Sequence, residues 1–158
     1  QDTAILLRNS AEVRSDHVID VEAPTEPVWL EADENQIRQI VWNLATNGLR
    51  AMSKGGHLRL SITSEQTDGD EWVVLAVQDE GCGIAAEDLD VIFQPFRSSF
   101  ERGTGLGLAI VHRVVTDYNG TVRVSSEVGV GTIMSVRLPA LAGVTAAPPD
   151  SERPKVAV

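Results

Sequence analysis

Two glycine-rich stretches decide how this chain folds: Asp79-Glu80-Gly81-Cys82-Gly83-Ile84 and Gly103-Thr104-Gly105-Leu106-Gly107-Leu108. Because glycine has no Cβ, it permits positive φ angles and lets the backbone approach a ligand closely. The first stretch carries an acid at the end of an apolar run. The second opens a helix, whose free N–H groups suit phosphate. Either stretch alone is weak, but together they predict a nucleotide pocket.

The composition indicates one globular domain. The chain has 158 residues, of which 42% are hydrophobic and 23% charged, enough for a single core. Its formal net charge of -10 argues against nucleic-acid binding, which needs a basic patch. No apolar run approaches the ~18 residues of a membrane span, so we expect no direct membrane contact from this fragment.

Several kinds of site are excluded or disfavoured by the sequence. No G-x-x-x-x-G-K-[ST] motif occurs, so a P-loop is absent, and the second glycine stretch does not follow the strand that a dinucleotide fingerprint requires. The single cysteine, Cys82, excludes an intrachain disulfide. His17, His57 and His112 are dispersed, so nothing suggests a zinc site.

The pattern of apolar residues predicts an α+β fold. Three helices are expected, over Asn35–Met52 with Asp33 as N-cap, over Ala86–Ile92 and over Gly105–Tyr118. Expected strands are His17–Glu22, Val28–Leu30, His57–Ser64, Trp72–Gln78, Gly120–Ser126 and Thr132–Leu138. Because the order lacks regular βαβ alternation, helices on one face of a mixed sheet are expected.

Three segments are distinguished along the chain. Residues 1–14 are expected to end an upstream helical region, and residues 15–140 to form the domain. Residues 141–158, rich in alanine, proline and charge, are expected to be a disordered tail. Since the chain begins with Gln1, we expect it to be a fragment of a longer protein.

The helix Asn35–Met52 carries the first candidate site residues. Asn43, Asn47 and Arg50 lie on a polar face that adjoins a predicted apolar stripe of Ile37, Ile40, Val41, Leu44, Gly48 and Ala51. An Asn carbonyl is a suitable Mg²⁺ ligand, and an arginine one turn further on can meet the same phosphates. A solvated polar face would explain these residues in isolation, and the glycine stretches favour the pocket.

Other candidates follow in order along the chain. The Asp79 carboxylate can accept a hydrogen bond from the exocyclic amine of adenine, although a plain β-turn also explains it. Ile84 can contact the base. Phe93-Gln94-Pro95-Phe96 and the loop after it, with Arg97 and Arg102, are typical of a lid over a ligand. The Thr132 hydroxyl can also reach the pocket.

These motifs, in this order and spacing, resemble the N, G1, F, G2 and G3 boxes of the catalytic ATP-binding domain of bacterial sensor histidine kinases. That domain belongs to the gyrase, heat-shock chaperone, kinase and mismatch-repair ATPase superfamily. The resemblance covers roughly residues 15–139. It implies a Bergerat fold, a two-layer α/β sandwich in which a mixed sheet of about five strands lies under three helices.

The resemblance also implies roles for individual residues. Asn47 would coordinate Mg²⁺, Asn43 and Arg50 would approach the phosphates of ATP, and Asp79 would receive the adenine amine. The other expected nucleotide contacts are Gly81, Gly83, Ile84, Phe96, Arg97, Arg102, Gly103, Thr104, Gly105, Leu106, Gly107, Leu108 and Thr132.

The chain departs from the family pattern in three places. Ser98-Ser99-Phe100 stands where many relatives have a lysine after the F box, so Arg97 or Arg102 would have to substitute. Gly48 stands where Ala is usual. No histidine followed by an acid lies on a predicted helix, so the phosphoacceptor histidine is expected upstream of Gln1.

The expected function is that of a cytoplasmic kinase domain, of a protein whose membrane anchoring stays open. It would bind Mg-ATP and transfer the γ-phosphoryl group to a histidine on its own upstream dimerisation domain, for relay to a response-regulator aspartate. One alternative is an ATP hydrolase or serine kinase of the same superfamily, but hydrolytic members usually have Glu where Asn43 stands. Another is a degenerate nucleotide-binding module that only mediates contacts.

Overall fold

A computed structural model describes residues 7, 9–25, 27–96, 105–141 and 155–157. Its main feature is a five-stranded sheet with the order β1-β3-β4-β6-β5. These strands are β1 His17–Glu22, β3 Gly56–Thr67, β4 Asp70–Asp79, β5 Thr121–Glu127 and β6 Gly131–Pro139. Strand β1 pairs with β3 in parallel, and the other neighbours pair antiparallel. The mixed sheet of about five strands is therefore confirmed.

Two α-helices pack on one face of this sheet. Helix α1 is Glu34–Ala51 and helix α2 is Gly107–Asp117; α1 lies over β3 and β4, and α2 over β5 and β6. Alternate residues of β4, such as Val73 and Leu75, are buried against them, as the period-2 geometry of a strand requires. Neither helix has the length and apolarity needed to span a bilayer, which holds for the described part of the chain.

Helix α1 follows from its sequence. The Asp33 side chain caps it by accepting hydrogen bonds from the N–H groups of Asn35 and Gln36, as predicted. The buried stripe differs from the prediction at its edges. Val41 and Ala51 are only half-buried, whereas Ala45 and Leu49 are fully buried.

The prediction of a helix over Ala86–Ile92, one of the three expected, is wrong. This segment forms only a short 3-10 turn, Ala86–Asp88, with no side-chain cap on the preceding Ala85. The first turn of a helix is costly to form, and here neither length nor a cap offsets that cost. The described residues therefore contain two α-helices rather than three.

The ends of the chain also differ from expectation. Leu7 is helical and fully buried, but residues 9–12 form turns, so helical structure does not extend to residue 14. Lys155–Ala157, expected in a disordered tail, form strand β7 antiparallel to β2, Trp29–Glu31. The pairing gives partners to backbone groups of the short β2. Residues 1–6, 8, 142–154 and 158 lie outside the described residues.

Candidate nucleotide-binding site

A cavity of about 570 Å³ lies between α1, the end of β4, the segment after β4 and the start of α2. Many of the predicted site residues line it, namely Asn43, Asn47, Arg50, Asp79, Gly83, Ile84, Gly105, Gly107, Leu108 and Thr132. Gly81, Phe96 and Leu106 are described but do not line it. The predicted contacts Arg97, Arg102, Gly103 and Thr104 lie outside the described residues.

Asp79 ends β4 at one end of this cavity and is only 8% exposed. Its Oδ1 accepts a hydrogen bond from the Gly81 N–H at 2.8 Å. Burial raises the pKa of Asp79 above its ordinary value, and backbone hydrogen bonds from Gly81 and Thr132 partly oppose that rise. A carboxylate has about four lone-pair sites, so Asp79 can still accept from a ligand.

The glycines around Asp79 are required by close packing. A Cβ on Gly81 would lie 2.5 Å from the Ala51 Cβ, and one on Gly83 would lie 2.2 Å from the Glu127 carbonyl oxygen. A Cβ on Gly131 would lie 2.0 Å from the Asp79 carbonyl oxygen. Gly83 and Gly131 also have positive φ angles, 74° and 145°. The glycines thus let strand ends and loop meet beside the carboxylate.

The two amides of α1 lie along the cavity wall one helical turn apart. The Nδ2 of Asn43 is buried and has no hydrogen-bond partner in the described structure. In contrast, the hydroxyl of Thr46, another wall residue, donates to the Trp42 carbonyl at 2.8 Å. Since buried polar groups are rarely left unpaired, the Asn43 amide is a group that a bound ligand would satisfy.

Arg50 lines the cavity but already has a protein partner. Its Nη2 lies 2.8 Å from Oε1 of Glu12, and this hydrogen bond raises the pKa of Arg50 despite the opposing effect of burial. Guanidinium has five N–H donors, so pairing with Glu12 leaves donors for a phosphate. Sequence reasoning missed Glu12 because it lies far from Arg50 along the chain.

The start of α2 presents backbone donors to the cavity. Gly105, Gly107 and Leu108 line it, and the N-cap residue Leu106 makes no side-chain cap. The first N–H groups of a helix have no intrahelical acceptor, and the helix dipole favours an anion there. No acidic residue occupies this first turn, so the end is suited to phosphate oxygens.

Phe96, a predicted nucleotide contact, does not line the cavity. Its side chain is 80% exposed and its φ is positive, at 62°. Its backbone N–H donates to the Gly105 carbonyl at 2.9 Å. Phe96 therefore joins the two ends of the loop after the F box rather than lining the cavity.

The donor set fits a magnesium ion that is shared with phosphate. Among the residues that the structure describes, no group of three or more His, Cys, Asp or Glu side chains can hold a metal. Mg²⁺ is commonly bound through one or two protein oxygens, with substrate phosphates and waters completing its octahedron. The amide of Asn47, on the cavity wall beside Asn43, can supply such an oxygen.

Several residues of the site were not predicted. Val77 and Met134 form part of its apolar wall; they precede Asp79 and follow Thr132 by two residues, so strand alternation could have identified them. No local sequence pattern points to Ser126, whose hydroxyl lies within hydrogen-bond distance of the Thr132 hydroxyl. Its position follows only from the pairing of β5 with β6.

Comparisons with known proteins agree with this geometry. Residues 32–142 match the family described as histidine kinase-, DNA gyrase B- and HSP90-like ATPases. Sporulation kinase D of Bacillus subtilis (strain 168) is 40% identical over 114 residues, which cover 72% of this chain and 22% of that protein. The chain thus spans about a fifth of the length of this relative.

Solved structures give the same result. The mycobacterial sensor histidine kinase MprB superposes with a TM-score of 0.74 at 27% identity, over 88% of this chain and 90% of that one. Full-length ShkA in complex with AMPPNP gives a TM-score of 0.71 at 31% identity, over 94% of this chain and 30% of that one. The chain therefore belongs to the family of histidine kinase-, DNA gyrase B- and HSP90-like ATPases, as an ATP-binding catalytic domain of the sensor histidine kinase type.

Proposed function

We propose that this chain binds Mg-ATP and transfers the γ-phosphoryl group to a histidine on a dimerisation domain of its own protein, for relay to an aspartate of a response regulator. One observation carries the proposal. A single cavity joins a buried acid, Asp79, to the unpaired Asn43 amide and the N-terminal residues of α2. ShkA, a related protein, was solved with the ATP analogue AMPPNP, which supports an adenine nucleotide here.

The base is bound at the Asp79 end. The exocyclic amine of adenine donates to the carboxylate, which Gly81 holds in place through its N–H. Ile84 and the apolar wall cover the ring. Burial disfavours the charged form of Asp79 and raises its pKa, and an N–H donated by the ligand to the carboxylate would offset part of that cost.

The triphosphate lies toward α1 and α2. Backbone N–H groups at the start of α2, together with Arg50 and the Asn43 amide, neutralise and orient its oxygens. Asn47 would help to hold a magnesium ion, which supplies charge neutralisation between the phosphates. The contribution of these residues to phosphoryl transfer is positioning and charge stabilisation.

The attacking imidazole comes from outside this domain. No histidine of the described ranges lines the cavity. His17 contacts the Met52 carbonyl, His57 lies beside Asp20, and His112 packs against the ring of Phe93. The phosphoacceptor and response regulator are therefore the partners, and because ATP is the donor, we place the reaction in the cytoplasm.

The test is label transfer in trans. The chain is incubated with [γ-³²P]ATP and Mg²⁺, alone and with the separately produced dimerisation domain of its full-length protein. The expected result is acid-labile, base-stable label on the dimerisation domain and little on the chain itself. Steady phosphate release that is independent of the dimerisation domain would instead identify a hydrolase. If no label appears on the dimerisation domain and no ATP is hydrolysed, the kinase function is contradicted.

A further inference from the structure

The hydroxyl of Ser126 connects three parts of the base end of the cavity. Ser126 lies on β5, and its Oγ accepts a hydrogen bond from the Ile84 N–H at 2.8 Å. It also donates to the Gly131 carbonyl at 3.1 Å and lies 2.8 Å from Oγ1 of Thr132. One side chain thereby ties the loop after β4 to the start of β6.

If all three contacts are hydrogen bonds at the same time, counting protons assigns a direction to each of them. A hydroxyl has one proton to donate and two lone pairs to accept with. Because the Gly131 carbonyl can only accept, the Ser126 proton is used there. The contact with Thr132 then requires the Thr132 hydroxyl to donate to Ser126. Thr132 has no side-chain proton left, and its oxygen offers only lone pairs to other partners.

Thr132 lies directly beside Asp79. The two residues are register partners between β4 and β6, they are 5% and 8% exposed, respectively, and both line the cavity. With the Thr132 proton held by Ser126, the side chains of Thr132 and of ionised Asp79 present only acceptors to this end of the cavity. An exocyclic amine, which has two N–H groups, satisfies such a site. A carbonyl oxygen at the same ring position would face like partial charges and find no donor.

We propose that Ser126 is a positioning residue that sets selectivity for 6-amino over 6-oxo purines, by drawing the Thr132 hydroxyl proton away from the base. This inference rests on the proposed function, since it requires the base to be read at Asp79. It adds a specificity role for a residue whose own hydroxyl is used entirely by protein groups.

The test compares ATP with inosine triphosphate, which carries an oxygen in place of the amine. Dissociation constants for both, with Mg²⁺, are measured by calorimetry on the parent chain and on Ser126→Ala. In the variant the Thr132 proton can turn toward a 6-oxo group. We expect the discrimination ratio, Kd for inosine triphosphate over Kd for ATP, to fall about three- to tenfold. Ser126→Thr, which keeps a hydroxyl, should restore it.

Two further variants make the result decisive. Ser125→Ala removes a serine hydroxyl from the neighbouring, exposed position and should leave the ratio unchanged. Thr132→Val removes the acceptor itself and should also lower the ratio, which keeps the test valid if Ser126→Ala does not fold. Equal weakening of both nucleotides in Ser126→Ala, or an unchanged ratio in Thr132→Val, would overturn the inference. Failure of the parent chain to bind ATP would refute the proposed function itself.

Discussion

At the scale of single residues, ionisation of Asp79 should lower the stability of the fold but favour binding of the ligand. Burial disfavours its charged form and raises its pKa, so the folded state holds the proton more tightly than the unfolded chain does. Free energy of unfolding therefore falls as pH rises from the unfolded value of about 3.9 through the raised folded value. Ligand binding, in contrast, needs the ionised carboxylate.

Asp79→Asn should separate these two effects. The amide keeps an oxygen for the Gly81 N–H but removes the buried charge. We expect the free energy of unfolding of the variant, relative to the parent, to increase as pH rises, and to level off above the folded pKa of Asp79. Urea unfolding at several pH values between about 4 and 7 measures this. A difference that is independent of pH, or that decreases as pH rises, would show that folding does not raise the pKa of this carboxyl.

The glycine of the last box gives a second test at this scale. In Gly131→Ala the new Cβ would lie 2.0 Å from a backbone oxygen of Asp79, which cannot move without shifting β4. We expect a loss of about 3 kcal/mol or more in the free energy of unfolding.

Gly129→Ala is the matched control. Gly129 also has a positive φ, 81°, but nothing lies within 4 Å of a Cβ there. The free energy of unfolding of Gly129→Ala should therefore fall by only about 1–2 kcal/mol, the conformational cost of a positive φ. Equal losses in chemical denaturation would mean that φ strain, rather than contact with Asp79, requires glycine in this motif.

At the scale of elements, the two helices are joined at the end opposite the cavity. Tyr118 caps α2 at its C-terminus. Its hydroxyl accepts a hydrogen bond from the Asp33 N–H at 2.9 Å and donates to the Gln36 side chain. The cavity lies at the other end of the pair, where the second half of α1 faces the start of α2. The Tyr118 contacts therefore fix the helix pair at a place that does not line the cavity.

Tyr118→Phe should accordingly affect stability more than binding. Loss of the hydroxyl leaves the Asp33 N–H without its acceptor, and we expect about 1–2 kcal/mol less free energy of unfolding with the Kd for ATP nearly unchanged. Gln36→Ala and the double variant complete a cycle, in which the two losses should not add. Additive losses, or a large rise in Kd, would contradict this role.

Elements with local signals were predictable. The Asp33 cap and helical spacing predicted α1, and alternation predicted the strands of the main sheet. The helix expected at Ala86–Ile92 failed because its start is uncapped. The pairing of β2 with β7 joins residues from opposite ends of the chain, and no local pattern encodes such a contact.

The same distinction applies to the site. Asp79 and the glycines were predictable because they stand together in short sequence motifs, although the close packing that requires these glycines involves other segments. The Glu12–Arg50 pair and the bonds of Ser126 to Ile84 and Thr132 were not, since they depend on how distant segments pack. Sequence thus identified many of the groups that line the cavity, but not the groups that hold them.

At the scale of the whole molecule, the sheet and the helix pair form the two layers of an ATP-binding domain. The sheet brings Asp79 and Thr132 together from adjacent strands, while the helices supply the amides and N–H groups facing them. A ligand that bridges both layers should stabilise the fold by mass action, by about 2.7 kcal/mol at 100 times its Kd.

ATP binding with the base at Asp79 is tested most directly by a calorimetric titration of the whole chain with ATP and Mg²⁺, run beside Asp79→Asn. We expect one ATP site per chain, with affinity about tenfold or more weaker in the variant and both proteins folded by circular dichroism. Absence of binding to the parent chain, or equal affinity in the two proteins, would contradict this expectation.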